Sequence, residues 1–255
     1  MRLTFLGTGT SHGIPMIGCR CPVCTSDDPR DKRMRTSAVV HAPEGNILID
    51  TGPELRLQAV RAGLSRIESI LFTHAHADHI FGLDDVRRFC DAKGGPLPCY
   101  MNRPARETLE RVFGYCLADR EFKGFHQYPH LSFHLAEGPF VTAGVEVIPV
   151  PLLHGRLEVL GFRFGRMAYC TDVKTIPDDS MDKLRGLEVL VLDALRPQPH
   201  NTHLNIEEAL AVVDRLRPER TYFVHMAHMV SHAKVSAQMP RGVELAYDGL
   251  QIEWE

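Results

Sequence analysis

Residues 73–79 read THAHADH, and four of the last six are of metal-ligand type: His74, His76, Asp78 and His79. They stand where the apolar run IESILF ends. An extended segment points alternate side chains to one side, so His74 and His76 can face one metal, and a turn at Asp78 and His79 aims the second pair at a neighbouring position. Small Ala75 and Ala77 leave room for that crowding. Imidazole and carboxylate donors suit Zn, Mn or Fe(II), and two such ions can share one hydrolytic water. The bland alternative is a run of solvated loop histidines. Four donors in so short a span at a strand end favour the metal.

Two ions need more donors than this segment provides. His154 follows VEVIPVPLL, Asp172 follows MAYCT and His225 follows RTYFV, each at the end of an apolar run. A lone His or Asp in such a place is more often a hydrogen-bonded loop residue than a ligand. Three of them in the company of the first motif argue for a shared centre.

A second cluster lies in GCRCPVC, residues 18–24. Cys19, Cys21 and Cys24 are too close in sequence to staple a fold as disulfides, but thiolates at this spacing converge readily on one zinc ion, which wants a fourth ligand. The odd total of seven cysteines also argues against a disulfide framework. Cys90, Cys99, Cys116 and Cys170 carry no such pattern and read as buried apolar side chains.

The 255 residues are expected to form one domain, 1–255, with a structural zinc loop at about 18–26. Gly7 and Gly9 interrupt the only apolar run near the start, so no export leader is legible, and no stretch reads as an uncharged membrane span. The expectation is a soluble, cytoplasmic protein without membrane partners. A net charge of -3 gives no global field for nucleic acid, so a long nucleic acid is not the expected partner. A homodimer is the default expectation on base rates.

Strand-like runs are RLTFLGTG, SAVVHA, NILIDTG, IESILFT, VEVIPVPLL, LGFRFG, MAYCTD, LEVLVLDA, RTYFVH and VELAYDGLQIEW. Helical spacing appears in PELRLQAVRAGL, HIFGLDDVRRFCDA, PARETLERVFGYCLA and NIEEALAVVDRLRP, the last with Asn205 as N-cap. The mixture suits two packed sheets with helices on their outer faces.

With these motifs in this order the chain resembles the metallo-β-lactamase-fold hydrolases. The residues that carry the resemblance are Asp50 in LIDTG, the HAHADH loop, His154 in LLHG, Asp172 in CTD and His225 in FVHMAH. The resemblance implies an α/β (α+β) four-layer αββα sandwich with the metals at one edge. It implies that His74, His76 and His154 bind a first ion, that Asp78, His79 and His225 bind a second, and that Asp172 bridges them. Asp50 is then a support that orients a ligating histidine. Within the superfamily, the early C-x-C-x-x-C and the late H-x-x-H resemble the phosphoribosyl 1,2-cyclic phosphate phosphodiesterases. His228, three residues past His225, is the favoured fourth ligand of the cysteine cluster, with His12, His232 and Cys170 as alternatives.

The expected activity is hydrolysis of a small, cyclic ribose phosphodiester such as 5-phosphoribosyl 1,2-cyclic phosphate, through a hydroxide bridging two metals (Zn or Mn, with Fe also admissible), beside one structural Zn. Asp78 counts among the catalytic residues. The leaving alkoxide needs a proton, and RPQPHNTHLN offers His203 as general acid with His200 in reserve, or either as a helix-entry residue without a chemical role. Arg87 and Arg88 could reach a phosphate, although a charge pair on a helix is usually a solvated face. Alternatives are a nuclease or cyclic-nucleotide phosphodiesterase acting on RNA-derived substrates and, from another class, a non-catalytic metal-stabilised module that binds nucleotides.

Overall fold

In the computed structural model, which describes residues 1–117 and 128–255, the strands form two seven-stranded sheets. The strands are β1 (Arg2–Gly7), β2 (Ser37–Ala42), β3 (Gly45–Ile49), β4 (Ser69–Leu71), β5 (Leu97–Met101), β6 (Leu131–Leu135), β7 (Phe140–Thr142), β8 (Val145–His154), β9 (Leu157–Phe164), β10 (Met167–Cys170), β11 (Val189–Asp193), β12 (Arg220–Val224), β13 (Val243–Leu245) and β14 (Gln251–Glu253). The first sheet is ordered β14-β1-β2-β3-β4-β5-β6 and the second β13-β12-β11-β10-β9-β8-β7.

Period-two alternation decides what each face meets. Ala38, Val40, Ile47 and Ile49 of the first sheet pack with Phe162, Tyr169, Val189 and Val191 of the second in a core between the sheets. Their neighbours Val39 and Leu48 turn to the outer face of the first sheet, where helices α1 (Leu55–Arg61), α2 (Ala77–Ile80), α3 (Arg87–Lys93) and α4 (Arg103–Phe113) bury Leu55, Ile80, Phe89 and Leu109. Leu190 and Leu192 turn outward to α5 (Asp178–Lys183), α6 (Ile206–Leu216) and α7 (His232–Ser236). The layers are αββα.

The strand directions position the site. β3 through β6 run parallel, as do β10 through β13. A parallel sheet gathers the carboxyl ends of its strands along one edge, where open α/β sheets bind their ligands. Asp50 follows β3, His74 follows β4, Asp172 follows β10 and His225 follows β12, while His154 and Asp193 are the last residues of β8 and β11.

Several expected elements differ in detail. VELAYDGLQIEW is not one strand: β13 pairs with β12 and β14 with β1, in different sheets, because the chain turns at Asp248 and Gly249. HIFGLDDVRRFCDA is broken into α2, a 3-10 turn at Leu83–Val86 and α3. PARETLERVFGYCLA yields α4 and a 3-10 turn at Gly114–Cys116, and its last residue, Ala118, lies outside the described residues. α6 follows the reading, with Asn205 and Glu208 forming a reciprocal capping box. Pro149 and Pro151 are tolerated in β8 because its pairing with β7 stops at Val147, which leaves their side of the strand without a ladder partner. Among the described residues no helix is long and apolar enough to cross a membrane.

Candidate metal centre

The metal loop is seated by backbone contact. The Asp78 carbonyl oxygen passes 2.7 Å from where a Cβ on Gly52 would lie, and the Gly52 carbonyl 2.1 Å from where one on Gly82 would lie. A larger side chain at either glycine would push the loop off the sheet edge. The loop's donors then meet those of three other strand ends.

His74, His76, His154 and Asp172 form one group whose ligand atoms all lie within 4.8 Å of one another, and Asp78, His79, Asp172 and His225 form a second. Asp172 belongs to both. Its Oδ1 stands 3.4 Å from His79 Nε2 and 3.3 Å from His225 Nε2, and its Oδ2 3.8 Å from His74 Nε2. Asp78 Oδ2 stands 3.4 Å from His79 Nε2 and 3.7 Å from His225 Nε2. Most of these separations are long for hydrogen bonds and suit ligands of a common ion, since two donors at ~2.1 Å in tetrahedral array lie about 3.4 Å apart.

Protonation and orientation fit the same use. The Nε2 atoms of His74, His79 and His225 are buried without a hydrogen-bond partner among the described residues. A buried polar atom left so costs free energy unless something occupies it. The opposite nitrogens are fixed: His79 Nδ1 lies 2.7 Å from Asp50 Oδ2, and His154 Nδ1 donates to the Thr202 carbonyl at 2.7 Å. These bonds turn each ring and leave Nε2 as the free donor to a metal. Burial pushes the His74 and His154 imidazoles below their usual value, toward the neutral form a metal requires. Burial also opposes a charge on His79, but the Asp172 and Asp50 carboxylates outweigh it and hold this imidazole well above its usual value. The residues present therefore fit divalent ions.

Three residues at strand ends, Asp50, Asp172 and His225, have left-handed backbones with φ of +58°, +56° and +58°. Asp and His enter this region more readily than most residues, and its concentration at one edge is backbone strain held at a site.

Asp193 is the residue that strand patterning did not single out. Fully buried, it lies 2.7 Å through Oδ2 from His203 Nδ1 and 3.8 Å through Oδ1 from His225 Nδ1. A carboxylate ending the fully buried strand VLVLD was the available signal. Burial pushes the Asp193 carboxyl well above, and the His203 imidazole below, their ordinary values. The His203 ring stacks on His225 with centroids 4.8 Å apart and meets His154 at 4.4 Å. His200 stands one step back, 5.1 Å from His203, its Nδ1 engaged by the Thr202 amide at 3.3 Å. Arg87 is ion-paired with Asp84, and Arg88 with Asp91 at 2.7 Å.

Cys19, Cys21, Cys24 and His228 bring their ligand atoms within 4.8 Å of one another. His228 Nδ1 lies 3.3 Å from Cys19 Sγ and 3.4 Å from Cys21 Sγ. The Cys24 amide donates to Cys21 Sγ and helps hold that thiol down at about 6, while burial pushes the Cys24 thiol up to about 11. The alternative fourth ligands are elsewhere: His232 stands against the Tyr247 ring, Cys170 is buried in the outer core of the second sheet, and His12 is exposed beside His200.

A family model described as beta-lactamase superfamily domain matches residues 45–226. The octanoyltransferase of Porphyromonas gingivalis is 34% identical over 254 residues, which is 98% of this chain; the chain spans 51% of that relative's length. The coenzyme PQQ synthesis protein B of Methylobacterium radiotolerans is 33% identical over 228 residues, 76% of this chain and 72% of that protein. A crystal structure of a diphosphatase from the PhnP family superposes with a TM-score of 0.92 and 43% sequence identity, covering 100% of this chain and 98% of that one.

Proposed function

The chain belongs to the β-lactamase superfamily, and from that premise we propose that it is a metal-dependent hydrolase that cleaves a small phosphodiester, of the cyclic ribose phosphate kind, with two divalent cations. One observation carries this reading: both donor groups close on the same carboxylate, Asp172. In it, His74, His76 and His154 hold one cation, Asp78, His79 and His225 the other, and Asp172 serves both. Such cations neutralise phosphate oxygens and lower the pKa of a water toward ~7.

The chain's own residues do the rest. Asp50 accepts from the Thr73 amide and hydroxyl, both at 2.8 Å, and its remaining partner is His79 Nδ1, so one buried carboxylate fixes the loop and the ring together. His203, held through Nδ1 by Asp193, can carry a proton on Nε2 and give it to the leaving oxygen, the ring keeping its Nδ1 bond to Asp193. His200 is the reserve donor. Cys19, Cys21, Cys24 and His228 hold a structural Zn, and by way of Met226, whose amide donates to the Thr8 carbonyl at 3.0 Å, their loop is fastened to the end of β1.

A second reading has its own support: the 43% identical neighbour is described as a diphosphatase, which favours a diphosphate linkage as the scissile bond. Phosphorus NMR on the Mn- or Zn-loaded protein separates the two, with 5-phosphoribosyl 1,2-cyclic phosphate, 2′,3′-cyclic nucleotides, dinucleotides and a nucleoside diphosphate ester as substrates. Turnover of the first class supports the phosphodiesterase. Turnover confined to the diphosphate ester replaces it with the second reading, and no metal-dependent turnover of any of them favours a non-catalytic binding module.

A further inference from the structure

Cys21, Pro22, Val23 and Cys24 form a C-x-x-C unit inside the cysteine cluster, and the chain turns there. The Thr25 amide donates to the Cys21 carbonyl at 3.1 Å, and the Ser26 amide to the Val23 carbonyl at 3.2 Å. Pro22 presets the backbone angle that enters such a turn. A turn of this kind keeps the Cα atoms of its first and fourth residues within ~7 Å, inside the reach of a disulfide. The Cys21 and Cys24 sulfurs lie within 4.8 Å of each other. Cys19 belongs to the preceding turn, its amide donating to the Met16 carbonyl at 3.0 Å.

The two thiols of the unit differ in access. Cys24 is buried beside Ile14 and Val23. Cys21 is half-buried and lines a groove of about 470 Å³ with Ser26, Met229 and Lys234, which gives a dissolved oxidant a route to its sulfur. Cys90, Cys99, Cys116 and Cys170 are each exposed by 1% or less. A reachable thiolate with a second thiol close behind it is oxidised reversibly, because the second sulfur captures the sulfenic acid before further oxygen is added.

Resting on the structural-zinc reading, we infer that Cys21 and Cys24 are a reversible oxidation site, at which a hydroperoxide replaces the zinc by a disulfide. The Cys21 thiolate attacks the peroxide: an S–O bond forms, the O–O bond breaks, and the departing alkoxide or hydroxide takes a proton. The Cys24 thiolate then attacks the sulfenic sulfur. The S–S bond forms, the S–O bond breaks, and the hydroxide released takes a second proton to become water. Two electrons pass from the sulfurs to the peroxide. Zinc, left with Cys19 and His228 alone, departs. The disulfide closes a loop of only a few residues, whereas the zinc joins residues 19–24 to His228, so the oxidised chain is the less stable one.

The test treats the zinc-loaded full chain with a roughly tenfold molar excess of hydrogen peroxide. It reads zinc release to a chromogenic chelator, the state of each thiol by peptide mass spectrometry after alkylation in denaturant, and Tm. Release of one zinc per chain beyond an untreated control is expected, with a disulfide between Cys21 and Cys24 and the four buried cysteines still reduced. Tm should fall by roughly 5 °C or more, and dithiothreitol with added zinc should restore both the zinc and the Tm. Formation of the disulfide without release of zinc overturns the structural-zinc reading and the inference with it. Retained zinc with Cys21 and Cys24 reduced, a disulfide through Cys19 instead, or an oxidation that dithiothreitol does not reverse overturns the inference and leaves the structural zinc standing.

Discussion

His79 and Asp50 face each other across 2.7 Å, imidazole Nδ1 to carboxylate Oδ2, with neither side chain reaching solvent. Asp50 stands outside both donor groups yet decides which nitrogen of His79 is free to bind. Asp50→Asn keeps the shape and removes the charge. Outer partners of ligating histidines are worth roughly 10–100-fold in metal affinity, so the variant is expected to lose metal to a competing chelator at concentrations 10–100-fold lower than the parent does. An unchanged chelation curve would show that the bond does not orient His79.

The Asp193–His203 pair makes a statement about leaving groups. His203→Ala should lower kcat by roughly 10²–10⁴-fold on an alkyl phosphodiester, whose alkoxide needs a proton. On bis(p-nitrophenyl) phosphate, whose phenolate departs without one, the loss should be much smaller. Equal losses on both substrates would remove His203 from the proton-donating role. If instead His200→Ala shows the leaving-group dependence and His203→Ala does not, the reserve residue takes over.

The cysteine cluster should matter to folding more than to chemistry. Its three thiols and His228 tie residues 19–24 to the segment after β12, so Cys21→Ser opens a cross-link between distant parts of the chain. Each kcal/mol lost lowers Tm by ~2–4 °C in a chain of this size, and a drop of roughly 5 °C or more is expected, with activity per folded molecule retained and one zinc fewer by elemental analysis. A variant as stable as the parent would remove the structural-zinc assignment.

Asp248, at the turn that sends β13 and β14 to different sheets, accepts from the Thr8 amide and hydroxyl at 2.9 Å and the Met34 amide at 2.8 Å. Burial nevertheless pushes its carboxyl up from the usual 3.8 to about 6. The folded protein therefore holds this proton more tightly than the unfolded chain does. The resulting stability is fully present below about 4 and is lost as pH rises through about 6, up to about 3 kcal/mol and less for a residue that keeps partial exposure. Chemical denaturation of chelator-treated parent and Asp248→Asn at several pH values should show the parent gaining on the variant as pH falls from 7 to 4.5. A constant or shrinking difference would mean that the three donors keep the carboxylate ionised.

Much of this site was legible because its donors sit at strand ends. THAHADH, His154, Asp172 and His225 each close an apolar run, and a parallel sheet edge brings such ends together whatever the intervening loops do. Cys19, Cys21 and Cys24 were legible from spacing alone, and His228 from its distance to His225. Asp193 was not, since a single acid after LEVLVL looks like any strand terminus until the fold sets His203 and His225 against it. The left-handed backbones of Asp50, Asp172 and His225 leave no trace in composition, because none of the three is glycine. The break between α2 and α3 was hidden by continuous apolar spacing, and β5 and β6 were missed because LPCYM and LSFHL alternate too weakly to stand out.

The account rests on two cations sharing Asp172, and anomalous X-ray diffraction from crystals soaked in zinc or manganese measures that directly. Two separate peaks are expected at this edge, one among His74, His76 and His154 and the other among Asp78, His79 and His225, each within bonding distance of an Asp172 oxygen. A pocket without anomalous density, or with a single peak that leaves His225 and Asp78 unbound, would contradict it.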